Sequence, residues 1–227
     1  MQKTQYELPK GTVRNRVRPV FSEGLARVRA DGKYGYIDGT GKLVIPAKYD
    51  RAEDFSGGVA CIRSGNRYGY IDKSGAFILQ AVYRGAHDFS EGLAAVMVSG
   101  EGRGNYEWVF INQEGEIVIS GIEGYPGVFH EGMSLIFGEE EEYVINKTGK
   151  TILHLKEKKA VQEYERFKEG LLPVEFGKKC GFIDKTGKVV IPLIYDEVSE
   201  FSGGLAAGRR GRKWYLLNSG CLNCFYL

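Results

Sequence analysis

The chain has 227 residues, 43% hydrophobic and 26% charged, a composition that fits a folded globular protein and excludes wholesale disorder. Its 31 basic and 29 acidic residues leave a formal net charge of +2. That balance speaks against a nucleic-acid or membrane-surface binder, and no apolar run approaches the ~18 residues of a membrane span.

The 32 glycines, 14 tyrosines and 12 phenylalanines predict many tight turns between short strands. Residues 1–20 are polar and basic, without the apolar stretch of a secretory leader. They are expected to form an N-terminal segment or cap. Four cysteines (Cys61, Cys180, Cys221 and Cys224) are too few for a disulfide framework in a chain of this size, so reduced thiols and a cytoplasmic location are expected.

From residue 21 the chain repeats itself. Phe21-Ser22-Glu23-Gly24-Leu25-Ala26 returns from Phe55, Phe89, Phe129, Phe167 and Phe201, each Phe followed three residues later by Gly. A second anchor follows: Asp38, Asp72, Asn112, Asn146, Asp184 and Asn218, each with a Gly two or three residues beyond. The phases define six units, 21–54, 55–88, 89–128, 129–166, 167–200 and 201–227, with insertions near 99–106 and within 150–166. In the first unit Gly24 to Arg29 predicts a strand. Asp31-Gly32 is a hairpin signal, Lys33 to Ile37 a second strand, Asp38 to Gly41 a turn and Lys42 to Ile45 a third strand. Pro46 and Pro192 mark strand ends or sheet edges, and Tyr49 to Asp54 reads as linker.

One three-stranded unit buries too little to stand alone, so the units are expected to stack around a shared core. The expected fold is all-β: a tandem array of six three-stranded antiparallel repeats of about 34 residues, an open twisted stack being favoured over a closed propeller-like ring. Phe21, Phe55, Phe89, Phe129, Phe167 and Phe201 are the expected repeat core. Residues 155–166 lack strand alternation and are rich in helix formers, which predicts a short helix in place of the usual linker.

These motifs resemble the WG-repeat (KWG-repeat) family of bacterial proteins, whose pattern runs Phe-x-Glu-Gly-Leu-Ala, Gly-Tyr-Ile-Asp-x-x-Gly-Lys, Ile-Pro and Tyr-Asp. Gly35-Tyr36-Ile37-Asp38, Gly69-Tyr70-Ile71-Asp72 and Gly181-Phe182-Ile183-Asp184 carry the match. The Trp-Gly pair is never intact: its positions hold Tyr34-Gly35, Tyr68-Gly69, Trp108-Val109, Glu142-Tyr143, Cys180-Gly181 and Trp214-Tyr215. The resemblance implies a β-repeat scaffold and supplies no catalytic residues.

No catalytic or metal constellation is expected, and no cofactor. His87, His130 and His154 have no partner at ligand spacing, and no nucleophile elbow is present. The Asp-x-x-Gly motif reads as turn chemistry rather than calcium ligation, since Asn replaces Asp in half the copies. Cys221-Leu222-Asn223-Cys224 falls in an expected last strand. Two charge clusters, Glu139, Glu140, Glu141, Glu142 and Arg209, Arg210, Arg212, Lys213, fall at first-hairpin turns and are candidate partner contacts. The expected function is a non-catalytic scaffold for protein–protein interaction, possible roles including an inhibitor or immunity-type protein. The alternative is a small-ligand or glycan binder using Tyr34, Tyr68, Trp108 and Trp214.

Overall fold

The computed structural model describes residues 19–100, 105–162 and 164–218, and the backbone of 221–226. Residues 1–18 of the expected cap at 1–20, residues 101–104 of the insertion and the side chains of Cys221 and Cys224 lie outside the described residues. The chain forms two compact units, Met1–Val118 and Ile119–Leu227.

The described residues are all-β and form six four-stranded antiparallel sheets. The first holds β1 (Phe21–Ser22), β2 (Leu25–Ala30), β3 (Lys33–Asp38) and β4 (Leu43–Tyr49). The second holds β5 (Arg51–Ala52), β6 (Val59–Ser64), β7 (Arg67–Asp72) and β8 (Phe77–Tyr83). β9 (Gly85–Ala86), β10 (Ala94–Ser99), β11 (Tyr106–Ile111) and β12 (Ile117–Ile119) make the third. β13 (Tyr125–Pro126), β14 (Met133–Phe137), β15 (Glu142–Asn146) and β16 (Thr151–His154) make the fourth. The fifth holds β17 (Lys159–Ala160), β18 (Leu171–Phe176), β19 (Lys179–Asp184) and β20 (Val189–Tyr195), and the sixth β21 (Glu197–Val198), β22 (Leu205–Arg210), β23 (Lys213–Asn218) and β24 (Cys221–Tyr226). Each sheet is a meander in which neighbours in sequence pair, and none closes into a barrel.

The three long strands expected of each repeat are present. The addition in the second to sixth sheets is a two-residue strand from the stretch that reads as linker: Arg51 and Ala52 pair with Arg63 and Ile62, and Glu197 and Val198 with Arg209 and Gly208. So short a strand has no alternation to betray it, and only its long-range partner defines it. The described residues of 155–166 form no helix. Leu155 is buried, Lys158 N–H closes a turn on the Leu155 carbonyl, and Ala160 pairs with Val174. Sheet pairing and burial override the helical propensity of a segment too short to hold a helix by itself.

Local chemistry explains the motifs. Asp31 and Gly32 both take positive φ (49° and 82°), the hairpin geometry that Asp-Gly favours. Asp38 Oδ1 accepts hydrogen bonds from Thr40 N (2.8 Å), Thr40 Oγ1 (2.6 Å) and Lys42 N (3.1 Å). Asn146 Oδ1 accepts the same set from Thr148 and Lys150. The turn needs one acceptor oxygen rather than a charge, so Asn serves as well as Asp.

Gly35 meets a different demand: a Cβ there would lie 2.5 Å from the Ile45 carbonyl oxygen, and at Gly181 2.5 Å from that of Ile191. The bulged fourth strand crosses directly over this glycine.

The core lies between successive sheets within each unit. The Tyr or Phe after that glycine packs edge-on to the Phe of the next repeat: Tyr36–Phe55 at 4.8 Å, Tyr70–Phe89 at 4.7 Å and Phe182–Phe201 at 4.9 Å between ring centroids. The hydroxyls of Tyr36 and Tyr70, buried with their rings, donate to the carbonyls of Glu53 and His87. Phe55, Phe89, Phe129, Phe167 and Phe201 are all buried, as expected of core. Phe21 is the correction: it is 48% exposed, because the ring that would cover it belongs to a preceding repeat and no described repeat precedes the first.

The glutamate of Phe-x-Glu-Gly is a clasp. Glu23, Glu131 and Glu169 sit at positive φ (50°, 52° and 52°), which turns each carboxylate toward the next repeat. Glu23 accepts from Gly58 N–H (3.0 Å), Glu131 from Gly170 N–H (2.9 Å), and Glu169 from Gly203 and Gly204 N–H (2.7 and 2.8 Å). Lys73 and Lys185 complete the first two clasps at 2.9 and 3.1 Å.

Candidate functional site

In the regular repeats a second joint recurs. Asp50 takes Lys33 Nζ (2.5 Å) on one oxygen and Gly65 N–H (2.7 Å) on the other. Asp196 takes Lys179 Nζ (2.5 Å) and Gly211 N–H (2.6 Å) in the same way. Lys33 and Lys179 hold the carboxyls of Asp50 and Asp196 below the usual carboxylate range.

Two joints around repeat four break this pattern. In the one that enters it, Glu107 stands at the lysine position, Gly124 where Asp50 and Asp196 stand, and Glu139 where Gly65 and Gly211 stand. In the one that leaves it, Glu141 stands where Lys33 and Lys179 stand. Tyr143 also replaces the glycine over which the fourth strand would cross, and β16 is only four residues long where β4, β8 and β20 have seven.

The consequence is an open cleft of about 680 Å³, wholly within Ile119–Leu227. One wall is the segment 120–124, the other the turn 138–141, with Tyr143, Thr151 and His154 at one end and Ile119, Ile122 and Ile145 contributing apolar surface. Gly124, at φ 142°, is needed here: a Cβ would lie 2.4 Å from the Phe137 carbonyl oxygen. Tyr143 Oη braces the first wall, 3.1 Å from Glu123 N and 3.3 Å from Glu123 O, and partial burial pushes its pKa up.

The acidic run divides by role. Glu142 is committed to structure, its Oε2 accepting from Ala160 N–H at 2.7 Å. Glu141 Oε1 meets His154 Nδ1 at 2.7 Å. Glu139, Glu140 and, from the other wall, Glu123 are exposed and form no ion pair among the described residues. Glu123, Tyr143 and His154 escape sequence reasoning; the signal for them is the phased replacement of Asp by Gly124 and of Gly by Tyr143.

The basic cluster is placed differently. Arg209 is spent on its own sheet, with Nε 3.0 Å from Glu197 and Nη1 3.0 Å from the Gly211 carbonyl. Arg210, Arg212 and Lys213 remain exposed at the β22–β23 hairpin. The aromatic positions do not present a row of open faces. Tyr34 carries the guanidinium groups of Arg27 and Arg29 at 5.9 and 5.4 Å, Tyr68 packs against the core of the second and third sheets, and Trp108 packs edge-on to His87 at 5.2 Å over Gly85. Trp214 alone of the four is 41% exposed.

A second charged group lies in Met1–Val118. Arg27 Nη1 bonds Glu53 (2.6 Å) and the Ala52 carbonyl, and its Nε lies 3.6 Å from Asp54. Asp88 Oδ1 is buried without a hydrogen-bond partner among the described residues. Burial first, then the charges of Glu53 and Asp54, push its pKa up to about 6 against the pull of Arg27. Cys61 and Cys180 are buried free thiols whose pKa burial raises, which disfavours the reactive thiolate. Among the described residues no cluster of three or more His, Cys, Asp or Glu has metal-holding geometry.

Fold and joints define a tandem β-repeat protein whose units are four-stranded meanders, the kind of sheet from which propeller blades are made. The particular family follows from the motifs. The model of the WG containing repeat matches residues 17–34, 34–68, 68–101 and 181–214, just over half of the chain, and the chain belongs to that family. The matched segments leave out 102–180, the stretch that holds the cleft. Among solved structures, Hsv2p of Kluyveromyces lactis is similar at 11% identity and a TM-score of 0.54, over 85% of this chain and 76% of that one. Kluyvelomyces marxianus Hsv2 gives the same identity and TM-score over 85% and 75%. At such identity the likeness is one of fold. No curated protein matches the chain in sequence.

Proposed function

We propose that this chain is a non-catalytic repeat scaffold that binds another protein, of the kind that serves as an inhibitor or immunity protein, and that repeat four makes the contact. The observation that carries the reading is the cleft. Four motif carboxylates are matched by lysines of the chain itself: Lys33 with Asp50, Lys73 with Glu23, Lys179 with Asp196 and Lys185 with Glu131. At the joint of Gly124 the Lys–Asp pair is absent, and Glu123, Glu139, Glu140 and Glu141 line an open concavity. A glycan-binding reading is less favoured, because three of the four aromatic positions are packed by their own neighbours.

Affinity capture from native lysate tests the proposal, comparing wild type with a Glu139→Ser/Glu140→Ser/Glu141→Ser variant and an Arg210→Ser/Arg212→Ser/Lys213→Ser variant. All six side chains lie at hairpin turns, so both variants are expected to fold. A protein lost from the acidic variant and kept by the basic one is the expected result. The same proteins on all three baits, or none on any, would refute it.

A further inference from the structure

The cleft specifies more than that something binds. Its departures from the repeat are directional: in the joint to which Gly124 belongs, Glu107 occupies the position where Lys33 and Lys179 supply a cation, Gly124 replaces the aspartate and Glu139 the glycine, while Glu141 takes the lysine position of the following joint. The internal cation of the joint is therefore missing, the carboxylates around the vacancy are increased, and no Lys or Arg lines the cleft. Ile119, Ile122 and Ile145 add apolar surface of the sort that accepts the methylene stem of a basic side chain or an apolar neighbour. The volume of about 680 Å³ lies within the ~300–1,000 Å³ of ligand clefts. It suits a short run of side chains. The braced wall at Glu123 and the glycine neck at Gly124 and Gly138 leave the shape preformed.

We infer that the cleft takes an arginine or lysine side chain, flanked by an apolar residue, on an extended segment of the partner protein, its cationic head among Glu123, Glu139 and Glu140 where the repeat's own lysine is absent. This rests on the protein-binding reading above and gives that contact its chemistry.

The test is an ¹⁵N-resolved NMR titration of the full chain with acetyl-Leu-Arg-Leu-amide, with its citrulline counterpart, which keeps the shape and loses the charge, and with spermidine. Amide shifts from the arginine peptide are expected at 120–124 and 138–141. Binding should weaken about tenfold or more with citrulline, and by a similar factor in a Glu139→Gln/Glu140→Gln variant with an unchanged circular-dichroism spectrum. It should also weaken severalfold between about 50 and 300 mM salt.

Three results would each overturn the inference: no shifts in those segments at millimolar peptide, equal binding of the citrulline peptide, or spermidine binding as tightly as the arginine peptide. The last would make this a site for free polyamines. If the peptide fails while the acidic-to-serine variant still loses its captured protein, the occupant is wrong and the scaffold reading stands. If both fail, both fall.

Discussion

Phe21 and Phe55 occupy the same phased position and are indistinguishable in the sequence, yet the structure assigns them different energies. Phe55 is 2% exposed and lies in a cluster with Tyr36, Ile45, Tyr49, Ala52, Ala60, Ile62 and Ile71, edge-on to the Tyr36 ring. Truncation to alanine removes the transfer free energy of the ring and leaves a cavity walled on both sides by β-sheet, which cannot collapse to fill it. Buried Phe→Ala changes cost about 3–5 kcal/mol, of which the edge-on aromatic pair accounts for about 0.5–1.5. Against a total stability of about 5–15 kcal/mol this is a large fraction.

Phe21 is 48% exposed, so the same change there should cost about 1 kcal/mol or less. Urea unfolding followed by Trp108 emission, in a Trp214→Phe background so that the signal reports Met1–Val118, measures both. Equal losses for Phe55→Ala and Phe21→Ala, or a loss below about 1.5 kcal/mol at Phe55, would refute the claim that the recurring Phe works by packing against the preceding repeat.

Two further outcomes follow from the joints and from the charged group near Arg27. Gly181→Ala places a methyl 2.5 Å from the Ile191 carbonyl oxygen and should destabilise Ile119–Leu227 by about 1–3 kcal/mol, read as a lowered urea midpoint; an unchanged midpoint would remove the steric account of that glycine. Asp88 has a folded pKa of about 6, above the 3.8 of an unperturbed aspartate, so the fold favours its protonated form. Its stabilising contribution is complete below pH 3.8 and is lost as pH rises through about 6. Asp88→Asn should therefore gain on wild type across that window, by up to about 3 kcal/mol at neutral pH, visible as a Tm difference that grows from pH 4 to pH 7. A constant difference would refute it.

Much of this fold is legible in the sequence because each motif meets a local demand. Asp-Gly gives the hairpin, Asp-x-x-Gly or Asn-x-x-Gly gives the turn through one acceptor oxygen, and the buried Phe and Tyr recur at fixed offsets. The hidden parts depend on partners far along the chain. Nothing in Arg51-Ala52 alone says strand, since only Arg63 and Ile62 make it one. In 155–166 helical propensity points the wrong way, because the segment is decided by Ala160 pairing with Val174 and by the burial of Leu155. The acidic run is visible by eye. That Glu142 is bound to a backbone amide while Glu139 and Glu140 are not emerges only once the Ala160 contact is known. The cleft is a difference between repeats, legible where the phases of Gly124, Glu141 and Tyr143 are compared with Asp50, Lys33 and Gly35.

The glutamate clasp gives the chain a grammar of growth. Glu23, Glu131 and Glu169, each at positive φ, reach forward to a glycine amide of the following unit, so repeats one, four and five carry the hook for their successor and every repeat carries the glycine that serves as the eye. Duplicating or deleting one whole period in a gene would leave every hook facing an eye, whereas a change of half a period would strand one of each. Lineages of such chains should therefore differ in length by whole repeats, with other insertions confined to loops away from hook and eye.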